Sequence, residues 1–355
     1  MRGLSIFVKP LFTLKKASQS QKFLKNVKTL EVASDSYKAN FVTRKVGDES
    51  HKADSKNGKG DPQTHTSLIK LCRNCSFQSR IIKAVQRIIL ERHNMETYPI
   101  TPEQIAFYQE NGYIQLHDVL TDTELQDIRD ALEDVNKMTL DGNIHVSAAN
   151  PEYEKVFVQK VNLWRVHEAT KNYVFNHKIA EIARTLAQTT AVRLWHDHAL
   201  IKMPGDSKAS NWHQDLPYWP MNEVGALSCW MALDDVFPEN GCMSFVPKSH
   251  SWGKFDPIHL VGVHQDIFKL VPEPETKDLT PLPMPMKAGS CTIHNGLTFH
   301  YAGPNQTDKP RRAMVTIYMP EGITFNGKPH VVTNGLNLEA GKAIEGEIFP
   351  VLAEG

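Results

Sequence analysis

Two textures of apolar and polar positions succeed one another along the chain. From Tyr98 to about residue 190 apolar residues recur at helical spacing, and beyond it they fall into short runs separated by Pro, Gly, Asn and Asp. Thr101-Pro102-Glu103 sets a capping hydroxyl ahead of a proline at the first helical position, which predicts a helix to Asn111 stopped by Gly112. Tyr113-Ile-Gln-Leu116 alternates as a strand does. Thr121-Asp-Thr-Glu124 has the spacing of a capping box, and Leu125, Ile128, Leu132 and Val135 behind it form one apolar stripe. A further helix over roughly His177 to Gln188 turns Ile179, Ile182, Ala183 and Leu186 inward. From Ala191 the runs Val192–Ile201, Ala226–Leu233, Met243–Val246, Cys291–Ile293 and Ala313–Met319 read as strands. Helices followed by many short strands predict an α+β fold with a β-sandwich or jelly-roll core.

Composition divides the chain near residue 95. Up to Met95 there are 19 Lys and Arg against 7 Asp and Glu, whereas from Glu96 onward there are 21 against 33. Residues 1–95 thus form a basic extension without sustained periodicity, including a polar Gly- and Lys-rich patch from Ser50 to Gln63 read as disordered and a short basic amphipathic helix within Ser67–Arg92. Residues 96–355 form the acidic compact domain, and that charge argues against nucleic acid as a partner. The stretch 1–30 lacks acids and carries Arg2, Lys9, Lys15 and Lys16 around Phe7, Leu11 and Phe12, so it resembles a mitochondrial transit peptide as much as a basic tail. The C-terminal Ala353-Glu354-Gly355 is not the Ser-Lys-Leu peroxisomal address. No run has the apolar length of a transmembrane segment, and 5 cysteines in 355 residues suit a reducing compartment, so a cytoplasmic location is expected. Cys72 and Cys75 have the spacing of half a zinc site, without a second half.

The candidate chemistry centres on Trp212-His213-Gln214-Asp215. In an extended strand His213 and Asp215 would point to one face, presenting an imidazole beside a carboxylate. That is two thirds of the two-histidine, one-carboxylate facial triad that holds non-haem Fe(II). His300, which leads into the turn Gly303-Pro304-Asn305, is the candidate third ligand. Arg311 and Arg312 open an apolar strand, and strand alternation allows only one of them to face inward. A guanidinium buried beside a metal needs an anionic partner, and a dicarboxylate co-substrate supplies one. Other histidines compete: His196 and His198 share a strand face around Asp197, His294 suits a strand or supporting position, and His250 ends a turn. Trp212, Tyr218 and Trp219 surround the motif as pocket lining or as packing.

His213-x-Asp215, His300 and Arg311 resemble the motif of the phytanoyl-CoA dioxygenase family. The resemblance runs from about Tyr98 to the C terminus and includes Phe107-Tyr-Gln-Glu-Asn-Gly-Tyr113 and Asn240-Gly-Cys-Met-Ser-Phe-Val-Pro-Lys-Ser-His250. It implies a double-stranded β-helix core flanked by N-terminal helices, and an enzyme that uses Fe(II), 2-oxoglutarate and O2 to hydroxylate a C–H bond of a small-molecule or lipid-like substrate. It implies His213, Asp215 and His300 as metal ligands, Arg311 as the partner of 2-oxoglutarate, and Trp230, Gln214, Lys160 and His198 as further co-substrate contacts. Ala302 departs from the serine often found two residues after the distal histidine, and Lys248 stands for a glycine of the turn. Asp215 favours hydroxylation over halogenation, because halogenases of this fold leave the carboxylate position vacant. Two alternatives use the same fold: a non-catalytic metal- or partner-binding β-helix protein, and a cupin-like isomerase or hydrolase.

Overall fold

Each helix start lies where its capping signal places it. In this computed structural model, which describes residues 97–138, 156, 158–205, 207–258 and 271–355, Thr101 caps α1 (Pro102–Asn111), and Gly112 closes it with φ 79°. After β1 (Tyr113–Leu116), Thr121 and Glu124 exchange backbone and side-chain hydrogen bonds at the head of α2 (Asp122–Lys137). Glu124 also accepts from Lys178 Nζ at 2.9 Å and from Asn176 Nδ2 at 2.9 Å, which ties this end to the N-cap of a later helix. The basic extension, its amphipathic helix and the Cys72–Cys75 pair lie outside the described residues.

The remaining elements are β2 (Val158–Val161), α3 (Glu168–Val174), α4 (His177–Ala187), β3 (Ala191–Lys202), β4 (Ser210–His213), β5 (Leu227–Ala232), β6 (Met243–Phe245), β7 (Leu282–Pro283), β8 (Cys291–Asn295), β9 (His300–Ala302), β10 (Arg311–Pro320) and β11 (Val351–Glu354). They make two antiparallel sheets. The larger has seven strands in the order β1-β8-β5-β10-β3-β11, with β2 pairing the far half of β3; the smaller runs β4-β9-β6-β7.

The large sheet is buried on both faces, so apolar residues fall on both sides of β5 and β10 instead of alternating, and β3 buries Trp195, His196, Asp197 and His198 in succession. One face packs Leu194, Leu227, Cys229, Met231, Met314 and Tyr318 against Ile128, Leu132, Ile179 and Ile182 of the helices. The other face turns Trp195, Trp230, Ala313, Val315 and Ile317 toward Met243, Phe245 and Ala302 of the small sheet. The site lies in this second layer. β2, β4, β9 and β11 escape periodicity because each spans only three or four residues, and pairing with distant strands defines them.

Candidate active site

β4 and β9 pair so that His213 stands directly opposite His300. The strand ends at His213, and Asp215 adopts φ −77°, ψ −44°, opening the 3-10 turn Leu216–Tyr218. The expectation that strand alternation places Asp215 beside His213 is therefore corrected: a turn brings it back. Asp215 Oδ1 lies 3.6 Å from His213 Nε2 and 3.5 Å from His300 Nε2. One ligand atom from each of the three residues falls within 4.8 Å of the others.

The hydrogen bonds around the triad fix which atoms face inward. His213 Nδ1 contacts Asn211 O at 2.7 Å and His300 Nδ1 contacts Thr298 O at 3.0 Å. A carbonyl only accepts, so both Nδ1 atoms carry the proton and both Nε2 lone pairs point to the shared centre, the usual arrangement of metal-bound histidine. Asp215 Oδ2 accepts from Ser228 Oγ at 2.7 Å and from His294 Nε2 at 3.2 Å, which leaves Oδ1 for the centre. Burial alone would raise the Asp215 carboxyl, but the electrostatics of the His300, His213 and His294 imidazoles around it outweigh that and hold the group ionised well below its ordinary range. Burial and the neighbouring His213 keep His300 neutral. The donor set, its orientation and its protonation fit a divalent iron.

The triad opens on a cavity of about 230 Å³ between the sheets. At one end Arg311 is 2% exposed and its Nε and Nη1 have no hydrogen-bond partner. Its guanidinium lies over the Trp230 ring at 5.2 Å, and burial lowers its pKa to about 10 despite the attraction of Asp234. Arg312 faces the other way and is satisfied by Asp234, with Nη2–Oδ1 at 2.8 Å. Lys202, paired across the strands with Arg311, is 1% exposed and also lines the cavity. Its Nζ donates to Lys208 O at 2.7 Å, and burial, reinforced by the Arg311 charge, pulls its pKa down to about 6. Two buried basic groups side by side make this end a receptor for a carboxylate.

The predicted co-substrate contacts separate. Trp230 and His198 line the cavity. Lys160 does not: its Nζ donates to Val135 O at 3.1 Å, because β2 turns Gln159 and Val161 inward instead. Gln214 also lies outside it, its amide donating to Gly253 O and Leu297 O and accepting from Phe255 N, so it pins the loops behind the triad. Tyr218 and Trp219 line the cavity, whereas Trp212 stacks on Tyr301 at 5.1 Å away from it. His250 supports α1 through Gln109 O, and Lys248 holds its turn with φ 64°. Near Ala302, Ser210 Oγ takes up the strand's backbone N–H at 3.1 Å. Lys202 and Ser228 were not singled out from the sequence, although each is a polar residue on the inward register of its strand, Ser228 amid the apolar run of β5 and Lys202 at the end of β3.

The model of the Phytanoyl-CoA dioxygenase (PhyH) family matches residues 108–313, a span that contains the triad and Arg311. The chain belongs to the phytanoyl-CoA dioxygenase family. Among its relatives, the methylphosphonate hydroxylase of Gimesia maris is 26% identical over 229 residues, covering 62% of this chain and 80% of that protein. The human peroxisomal phytanoyl-CoA dioxygenase is 24% identical over 240 residues, covering 63% and 69%. The crystal structure of the non-heme alpha ketoglutarate dependent carbocyclase SnoK from nogalamycin biosynthesis superposes with a TM-score of 0.59 at 29% identity, covering 72% and 97%. As a member of this family the protein is an iron- and 2-oxoglutarate-dependent oxygenase. No helix among the described residues is long and apolar enough to cross a membrane.

Proposed function

We propose that residues 96–355 form the catalytic domain of a hydroxylase acting on a small or lipid-like molecule, and that the two facing sheets are the halves of a double-stranded β-helix. The observation that carries this reading is the shared cavity: three metal-directed ligands in its middle, and at one end a buried arginine with two unpartnered nitrogens. His213, Asp215 and His300 would hold Fe(II), and 2-oxoglutarate would extend from the metal toward Arg311, with Lys202 as a second basic contact. Bound there, iron with O2 and 2-oxoglutarate supplies the oxidation of a C–H bond, while the co-substrate leaves as succinate and CO2. The chain's own part is positioning. Arg311 would hold the far carboxylate of the co-substrate, with the Trp230 ring centroid 5.2 Å from its guanidinium, and Ser228 and His294 hold the Asp215 carboxylate with one oxygen free. The carboxylate at position 215 and relatives named hydroxylase and dioxygenase support hydroxylation.

The test is succinate release from 2-oxoglutarate with Fe(II), O2 and a panel of small metabolites, followed by mass analysis of products formed under labelled O2. Label in the product together with stoichiometric succinate is expected. Ring closure without label would assign the carbocyclase type of outcome, and undiminished turnover in Asp215→Ala would overturn the assignment of the triad.

A further inference from the structure

A second polar cluster lines the cavity beyond the triad. His196 and His198 project from β3, and His330 comes from the segment after β10. The His196 ring lies 5.2 Å from His198 and 6.1 Å from His330 between centroids. Asp197, between the first two, points to the opposite face, where it accepts the backbone N–H groups of Leu163 and Trp164. Among the described residues no carboxylate is within ion-pair distance of the three rings, although the Asp215 charge reaches His196 and His198 from the triad.

The tautomers follow from the partners of Nδ1. His330 Nδ1 accepts Val332 N–H at 3.2 Å, so its proton is on Nε2. His196 Nδ1 lies 3.4 Å from Asp197 O and 3.4 Å from His198 Nδ1. Because the carbonyl can only accept, His196 donates from Nδ1, His198 receives at Nδ1, and the His198 proton is on Nε2. The cluster therefore has two N–H donors, on His198 and His330, and one basic nitrogen, His196 Nε2. Neither donor has an acceptor among the described residues, so both are open to a hydrogen-bond acceptor from a substrate in the cavity.

Register sets how far this cluster lies from the reactive centre. His196, Ile317, Ser228 and His294 form one row across β3, β10, β5 and β8. Ser228 and His294 are the residues that hold Asp215. At roughly 4.8 Å per strand, two strands separate His196 from Ser228 by about 10 Å. Lys202 and Arg311 are six residues further along β3, about 20 Å away, at the opposite end of the cavity.

We infer that His198 and His330, the first held in its tautomer by His196, anchor the substrate by an oxyanion head group, a carboxylate or a phosphonate, and hold a C–H bond only a few bonds from that head near the triad. This rests on the iron and 2-oxoglutarate reading, since it divides the cavity into a co-substrate end at Arg311 and a substrate end at the histidines. Leu200, Ile317 and Val331 supply apolar wall for a short carbon body.

The experiment is a calorimetric titration of the full chain, loaded with Fe(II) and 2-oxoglutarate without O2, using propylphosphonate, butanoate and the neutral ester methyl butanoate. At least one acid is expected to bind about tenfold or more tighter than the ester, the size of one hydrogen bond to a charged group. His330→Leu removes one donor and His196→Gln removes the Nδ1–H that sets the His198 tautomer; each is expected to reduce that preference at least several-fold while retaining 2-oxoglutarate binding, which also shows that the variants are folded. Equal binding of acids and ester, no acid binding at millimolar concentration, acids that only compete with 2-oxoglutarate, or an intact preference in both variants would overturn the anchor. Failure of 2-oxoglutarate itself to bind the iron-loaded protein would instead overturn the proposed function.

Discussion

Replacing Lys202 by methionine tests the charge placed at the closed end of the cavity. The lysine is almost wholly buried, and its pKa of about 6 lies far below the ordinary value of 10.5. At pH 7 the unfolded chain would hold a proton on this side chain that the unliganded folded protein largely lacks. Stability contributed by such a group therefore rises with pH: the penalty is full below about pH 6 and fades as pH rises toward 10.5. At 1.36 kcal/mol per pH unit, the penalty at pH 7 is up to about 5 kcal/mol and at pH 10 about 1 kcal/mol. Methionine of similar length removes the titrating group and also the hydrogen bond to Lys208 O, a loss of about 1–2 kcal/mol that does not vary with pH. Urea denaturation of both proteins at several pH values should show an advantage of the variant about 4 kcal/mol larger at pH 7 than at pH 10. Titration of 2-oxoglutarate should show the reverse cost, a loss of about 10- to 100-fold in affinity, because the bound carboxylate favours protonated Lys202. A pH-independent stability difference would refute the placement of a neutral lysine beside Arg311, and unchanged co-substrate affinity would refute Lys202 as the second basic contact.

Other expected outcomes are as direct. Arg311→Met should weaken 2-oxoglutarate binding by at least about 100-fold in calorimetry, yet leave the unliganded protein no less stable, since it removes a buried charge whose Nε and Nη1 have no hydrogen-bond partner. Ser228→Ala takes one of two donors from Asp215 Oδ2 and should lower iron affinity by about tenfold in a competition titration with a chelator. Gly112→Ala would force φ 79° on a side chain whose Cβ meets the His250 ring and Thr298 Oγ1 at 2.6 Å, so a loss of about 3 kcal/mol is expected in thermal unfolding.

The legible parts of the protein were those whose signals act over a few residues. Thr101, Gly112, Thr121 and Glu124 specify helix ends through bonds no more than four residues long, and the structure has those ends. The apolar runs of β3, β5 and β10 were visible because both faces of the large sheet are buried. A strand at His213 was legible as well, though the pattern carries it past the end of β4 to Asp215; the three-residue β9, which holds His300, was not. The residue types of the triad were legible as chemistry, since two imidazoles and a carboxylate near a buried arginine have few other uses.

Tertiary structure decided the rest, because cross-strand pairing joins residues with no local relation. It set His213 opposite His300 and brought Asp215 to both by a turn instead of a strand. It set Lys202 beside Arg311, and sent Lys160 to the end of α2. His196 and His198, adjacent in the strand pattern and so read as a rival metal cluster, turn out to share the triad's cavity with a histidine more than a hundred residues away. The sequence by itself determined which chemical groups the protein owns and where its helices begin. Only the packing of one sheet on the other determined which of those groups meet, since face and register in a sheet depend on partners that the local chain does not contain.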